Sequence, residues 1–156
     1  MAVRVQREAF DVAAEVAALT RGRVDIGGIV TFSGLVRGDA DGRALSSLTL
    51  EHYPGMTEAE LQRIDDEAHQ RFALLGSTVI HRYGVLYPGD PIVLVVTAAA
   101  HRRAAFAAGE FLMDYLKSQA PFWKKESFAD GSERWVDARQ TDAEAMARWA
   151  ASATQK

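Results

Sequence analysis

The chain reads as an α+β fold, a mostly antiparallel sheet with hairpins packed against helices, and three observations predict it. Strand-like runs come in pairs across short Gly/Asp or Pro/Gly turns. Helix-period runs stand between those pairs. No repeat, linker or low-complexity stretch interrupts the 156 residues, a length that fits one domain with a real core.

The elements follow in order. Val3 to Phe10 alternates weakly and reads as a strand. Asp11 can cap a short helix over Val12 to Leu19. Ile26 to Val36 is β-branched and spotted with glycine, Gly38-Asp39-Ala40-Asp41-Gly42 is a turn cluster, and Ala44 to Tyr53 alternates again, so these two runs are expected to form a hairpin. Pro54-Gly55 breaks the pattern. Thr57 with Glu60 three residues on reads as a capping box opening a helix to about Leu74. Ser77 to Tyr87 and Pro91 to Ala99 read as two strands joined through Pro88-Gly89-Asp90. His101 to about Gln119 is the longest helix. Phe122 to Phe128 and Arg134 to Ala138 form a last hairpin across Asp130-Gly131. Asp142 opens an alanine-rich C-terminal helix.

Composition removes several kinds of chemistry. There is no cysteine, which excludes disulfides, Cys-ligated zinc, iron–sulfur clusters and thiol nucleophiles. A net charge of -3 without a continuous basic stripe gives no reason to expect nucleic acid. No apolar run reaches the roughly 20 residues of a membrane span, and no signal-peptide core opens the chain, so a cytoplasmic protein is expected. No histidine pair has metal-ligand spacing, and the glycines form neither a dinucleotide fingerprint nor a P-loop, so neither a metal nor a cofactor is expected.

The segment Lys117-Ser118-Gln119-Ala120-Pro121-Phe122-Trp123-Lys124-Lys125-Glu126 is the most informative stretch. Three lysines gather around a Pro-Phe-Trp core. An ammonium beside bulky apolar groups can be partly desolvated and then act as acid, base or nucleophile; the plain alternative is a solvated helix end followed by an edge strand. Arg37 ends a strand before a Gly/Asp-rich loop, where a guanidinium suits phosphate or carboxylate. His101-Arg102-Arg103 opens the long helix, whose free N–H groups attract anions; basic residues there oppose the helix dipole, which favours ligand binding over stability. His52 and His81 lie within strand patterns and read as structural. His69 reads as solvated, and Asp114 and Lys117, one turn apart, can pair on the surface.

In sequence order the informative blocks are Phe32-Ser33-Gly34-Leu35-Val36-Arg37, Leu50-Glu51-His52-Tyr53-Pro54-Gly55-Met56, His81-Arg82-Tyr83-Gly84, His101-Arg102, Met113-Asp114-Tyr115-Leu116-Lys117 and Pro121-Phe122-Trp123-Lys124-Lys125-Glu126. This ordered set resembles the MoaE family, the large catalytic subunits of molybdopterin synthase, from the first strand to Trp149. The resemblance implies the α/β hammerhead arrangement of that family. It also implies a sulfurtransferase that converts cyclic pyranopterin monophosphate into molybdopterin. The sulfur arrives as a thiocarboxylate on the C-terminal Gly-Gly of a small ubiquitin-like subunit, within a heterotetramer built on a central homodimer. Lys117 and Lys124 match the family's two active-site lysines. Arg37, His101 and Arg102 match its anion-binding positions, and Arg139 matches another basic pocket residue. Phe32 and Met113 are expected to line an apolar wall, Leu35 and Val36 to join the substrate-binding set beside Arg37, and Lys125 and Glu126 to flank the pocket.

Geometry adds a constraint independent of the family. A continuous helix from His101 to Lys117 separates them by roughly 24 Å at 1.5 Å per residue. One small pocket in one chain cannot hold both, so if both serve one substrate, His101 and Arg102 come from a second copy. Two rival classes are a nucleic-acid module that stacks bases on Trp123 among the lysines, and a scaffold that keeps the partner interface without chemistry.

Overall fold

A computed structural model describes residues 2–136 and 140–153. The element order is β1 (Val3–Gln6), α1 (Val12–Thr20), β2 (Gly28–Leu35), β3 (Asp39–Ala40), β4 (Arg43–His52), α2 (Met56–Phe72), β5 (Gly76–Arg82), β6 (Gly84–Leu86), β7 (Pro91–Ala99), α3 (Arg102–Ser118), β8 (Phe122–Phe128), β9 (Glu133–Val136) and α4 (Gln140–Ala153). The strands make two sheets. The first runs β1-β5-β7-β2, with β1 parallel to β5 and the remaining pairs antiparallel. The second runs β3-β4-β8-β9 with β6 also on β4, all antiparallel. The expected α+β class with mostly antiparallel pairing is the one observed.

The first sheet is covered on both faces, which is why β7 is apolar along nearly its whole length. Val79, Val93, Val95 and Ala99 belong to the main core with Leu61, Ile64 and Ala68 of α2 and Ala105, Ala108, Phe111 and Leu112 of α3. Ile80, Leu94 and Val96 pack instead against Phe10, Val12, Val16 and Leu19 at and around α1. Asp11 caps α1 as its position suggests, its carboxylate accepting from the Ala14 N–H at 3.1 Å. Full burial of a side chain such as Phe111 stabilises the fold by about 3 kcal/mol. At the far end of the core, α4 is fastened to α3. The Trp149 ring stands edge-on to Phe111 and Phe72, and its Nε1–H donates to Asp114 at 2.7 Å. Arg148 reaches Asp114 at 3.1 Å and Glu110 at 2.9 Å. Asp114 is thereby engaged with α4, and the surface pair expected between Asp114 and Lys117 is not formed.

Four other sequence expectations need correction. The runs before and after the Gly38–Gly42 cluster do not pair with each other. β2 lies on β7, and the bulge at Gly34/Leu35 releases the chain from the first sheet. The turn signal is spent locally, on the two-residue hairpin of β3 with the start of β4 across Asp41 and Gly42, both at positive φ. The expected strand Ser77 to Tyr87 is two strands in different sheets. Gly84, at φ 94°, turns the chain from β5 into β6, a conformation that only glycine adopts without strain. Glu58, not Glu60, caps this helix: its carboxylate accepts from the Gly55 N–H at 2.5 Å, and Gly55 has no side chain to complete a capping box. Thr57 sits inside the helix, accepts from the Tyr53 N–H at 2.9 Å and donates to the Pro121 carbonyl at 3.2 Å, which ties α2 to the entry of β8. Finally, His69 is not merely solvated. Ser77 gives its single hydroxyl proton to buried Asp65 at 2.7 Å, so His69 Nε2, 2.7 Å from the same oxygen, donates to it. The first strand is also shorter than expected, and the end of the expected last strand, 137–138, lies outside the described residues.

The join between β7 and α3 depends on Gly27. Its N–H donates to Ala99 at 2.9 Å, and a Cβ there would stand 2.0 Å from the Ala100 carbonyl oxygen. Backbone cannot yield as a side-chain tip can. Gly27→Ala is therefore expected to cost roughly 2–4 kcal/mol, read as a lower urea midpoint. An unchanged midpoint would show that the β2 start moves aside freely.

Candidate active site

A cavity of about 410 Å³ opens between the two sheets at the C-terminal end of α3. Strands of both sheets and the end of α3 build it. β2 and its exit supply Leu35, Val36 and Arg37; the last turn of α3 supplies Lys117 and Ser118; β5 supplies His81; and β8 supplies Phe122, Lys124 and Glu126. The β8 residues share one face because strand side chains alternate. Their height is set by the β4 register, where Lys124 stands opposite Leu50 and Phe122 opposite His52.

Of the residues singled out from sequence, the fold brings together Leu35, Val36, Arg37, Lys117, Lys124 and Glu126. It places others elsewhere. Lys125 points to the opposite face of β8, 3.6 Å from Glu133 and over the Trp135 ring. Trp123 borders a shallow depression on that outer face with Glu51, His52 and Trp135, so the aromatic that walls the cavity is Phe122. Met113 packs against the main core. Phe32 stands exposed on the edge strand β2. His101 and Arg102 are exposed at the start of α3, whose 17 unbroken residues put them roughly 24 Å from Lys117. Arg139 lies outside the described residues.

The cavity is cationic. Lys117 is exposed in the last turn of α3, Arg37 is exposed on the rim, and Lys124 is half-buried on β8. Two carboxylates, Asp39 and Glu126, also line it, and Glu126 is committed elsewhere: its Oε1 accepts from Arg134 at 2.6 and 3.0 Å, and Arg134 also holds Asp41 at 3.1 Å. An anion that also has apolar surface fits this lining, with Leu35, Val36, Leu48, Ile92 and Phe122 as the apolar part.

His81 is buried at 5 % exposure, and its ring stacks on Phe122 at 3.8 Å between centroids. Burial pushes the imidazole down to about 3; the nearby charges of Lys124, Lys117 and His52 act in the same direction, and the hydrogen bond to Arg82 opposes them.

The MoaE protein family matches residues 5–119. The chain belongs to the MoaE family. A molybdopterin synthase catalytic subunit of Mesorhizobium japonicum is 64% identical over 151 residues, covering 96% of this chain and 94% of the relative. That of Escherichia coli K12 is 54% identical over 127 residues, 81% of this chain and 84% of the relative. The solved MoaE protein of Burkholderia ambifaria superposes with a TM-score of 0.80 at 52% identity, covering 96% of this chain and 99% of that one. Molybdopterin synthase of Staphylococcus aureus gives 0.78 at 28% identity, covering 85% and 94%.

Within this MoaE chain, sequence reasoning passed over His81 as a cavity residue. A histidine inside an apolar strand carries no local sign of what it faces. Only the pairing of β5 in the first sheet, and the approach of β8 from the second, place it beside the lysines.

His81 gives a pH dependence with a definite sign. Its folded pKa of about 3 lies below the ordinary 6.5, so the stability it contributes is complete above pH 6.5 and lost as pH falls toward 3. The slope in that window is roughly 1.4 kcal/mol per pH unit. Urea unfolding at pH 7 and at pH 4.5 is expected to show a drop roughly 2–3 kcal/mol larger for the parent than for His81→Gln. Equal drops would remove His81 from the acid response.

Proposed function

We propose that this chain is the catalytic subunit of molybdopterin synthase. It transfers sulfur from the C-terminal thiocarboxylate of a small ubiquitin-like subunit to cyclic pyranopterin monophosphate, forming the dithiolene of molybdopterin. The convergence of Arg37, Lys117 and Lys124 on one cavity with apolar walls carries this reading. The likeness to molybdopterin synthase catalytic subunits over nearly the whole chain supports it. A cytoplasmic location goes with it; no helix among the described residues is long and apolar enough to cross a membrane.

In this reading Arg37 holds the substrate phosphate through charge-assisted hydrogen bonds. The partner's tail enters extended, a mode suited to two glycines. The thiocarboxylate sulfur bonds to the substrate carbon as a C–O bond of that same carbon breaks and its oxygen leaves. Water then takes the acyl group, the acyl–sulfur bond breaks, and the tail leaves as a carboxylate. One lysine ammonium protonates or polarises the departing oxygen. The ammonium groups also stabilise the tetrahedral oxyanion while that bond breaks. Single-turnover sulfur transfer from thiocarboxylated partner tests this. Lys117→Ala and Lys124→Ala are each expected to lower the rate roughly a hundredfold to a thousandfold with the partner still bound. A parent complex that forms but transfers no sulfur would leave a scaffold.

His101 and Arg102 complete the phosphate grip from a second copy of the chain, with Arg139 as a further basic residue of the pocket by its match to the family. The distance along α3 supports the sharing. So does β2, an edge strand of the first sheet with exposed Ile29 and Phe32, a strand edge suited to pairing with a second copy. Remixing Lys117→Ala chains with His101→Ala chains tests the sharing. A random mixture of two-fold dimers has one intact site in each heterodimer, so about a quarter of parental activity should return. No recovery would place both residues in separate roles.

A further inference from the structure

His81 has a feature the preceding reading does not use. Its Nδ1 lies 2.8 Å from the Arg82 carbonyl oxygen. A carbonyl only accepts, so Nδ1 carries the ring proton, and Nε2 of the neutral ring is left with a bare lone pair. The ring cannot easily turn away. Its face rests on Phe122 with 19° between planes, and β5 pins its backbone between Val5 and Val93. His81 lines the same cavity as Arg37, Lys117 and Lys124.

We propose that Nε2 of His81 accepts a hydrogen bond from the N–H edge of the bound pyranopterin and so fixes the heterocycle between Lys117 and Lys124. This rests on the function proposed above. The cations meet the phosphate and the charge that develops during transfer, but they only donate. A reduced pterin ring has several N–H donors that need acceptors once water is displaced. Of the two carboxylates in the lining, Glu126 is already tied to Arg134, and Asp39 is exposed and carries a charge that repels the phosphate. A neutral acceptor also satisfies an N–H without repelling the phosphate anion. His81 is therefore a substrate-orienting residue, and it selects for a heterocycle with a donor at that edge.

Calorimetric binding of cyclic pyranopterin monophosphate to the complex with the small subunit tests the proposal. His81→Phe keeps the ring and the stack and removes the acceptor, and is expected to weaken substrate binding roughly tenfold and to raise KM more than it lowers kcat. Affinity for the small subunit should stay unchanged. His81→Gln, which offers an amide oxygen near the Nε2 position, should recover most of the loss. Unchanged substrate affinity in the phenylalanine variant, or a glutamine variant no better than it, overturns the proposal. Nitrogen NMR of histidine-labelled parent protein gives a readout that needs no variant. Substrate should shift the Nε2 resonance and leave Nδ1 protonated; an unmoved Nε2 in a complex that binds substrate overturns the His81 assignment alone. A parent complex that binds no pyranopterin overturns the functional reading and this assignment together.

Discussion

The burial of α3 on the first sheet is the constraint on which the site depends. Ala105, Ala108, Gly109, Phe111, Leu112, Tyr115 and Leu116 turn inward along one stripe. Tyr115 adds a hydrogen bond to Glu60 of α2 at 3.2 Å. A helix held along its whole length is a rod, so its two charged ends cannot approach each other. Lys117 is delivered to the cavity by the same packing that carries His101 and Arg102 away from it. The small residues on the stripe matter as much as the large ones, because they set how close the rod lies to β2 and β7.

Legibility from the sequence follows the range of the interactions. The α3 rod, the β8 strand and the Asp11 cap were readable because each depends on local periodicity or on one side chain reaching its own backbone. The partner of β2 was not. Its β-branched run fits any neighbour, and the choice of β7 over β4 is made by a bulge at Gly34/Leu35 and by the covering of both faces. Gly84 was visible as a glycine but not as the point where the chain changes sheet. At the site, Arg37, Lys117 and Lys124 stood out because charged residues near loops and helix ends are conspicuous. Residues 124 and 125 look equivalent in sequence, and only strand alternation assigns the first to the cavity and the second to the outer face. His81 stood in one of the informative blocks, but its place at the cavity was hidden because it comes from Phe122 and Arg82, which pairing and stacking supply.

Electrostatically the cavity is an unbalanced set. Three cations face it together with the carboxylates of Asp39 and Glu126, and Glu126 is drawn into a pair with Arg134, as Asp114 nearby is with Arg148 and Trp149. The lining therefore sets three cations against Asp39 and a Glu126 that is already engaged. That leaves an attractive field for an anionic ligand at a place where apolar walls limit competing water.

The small cluster of Val36, Leu50 and Leu86, with Leu48, Tyr83 and Ile92 against it, has a further consequence. It is the wedge between two sheets that share no strand pairing, and three of its members also face the cavity. The thickness of this wedge acts as a gauge for the slot. A methyl group added or removed there would reset the gap across which Arg37 faces Lys124 without altering any charge. Tolerance for ligand size is thus written in aliphatic residues that never need to touch the reacting atoms.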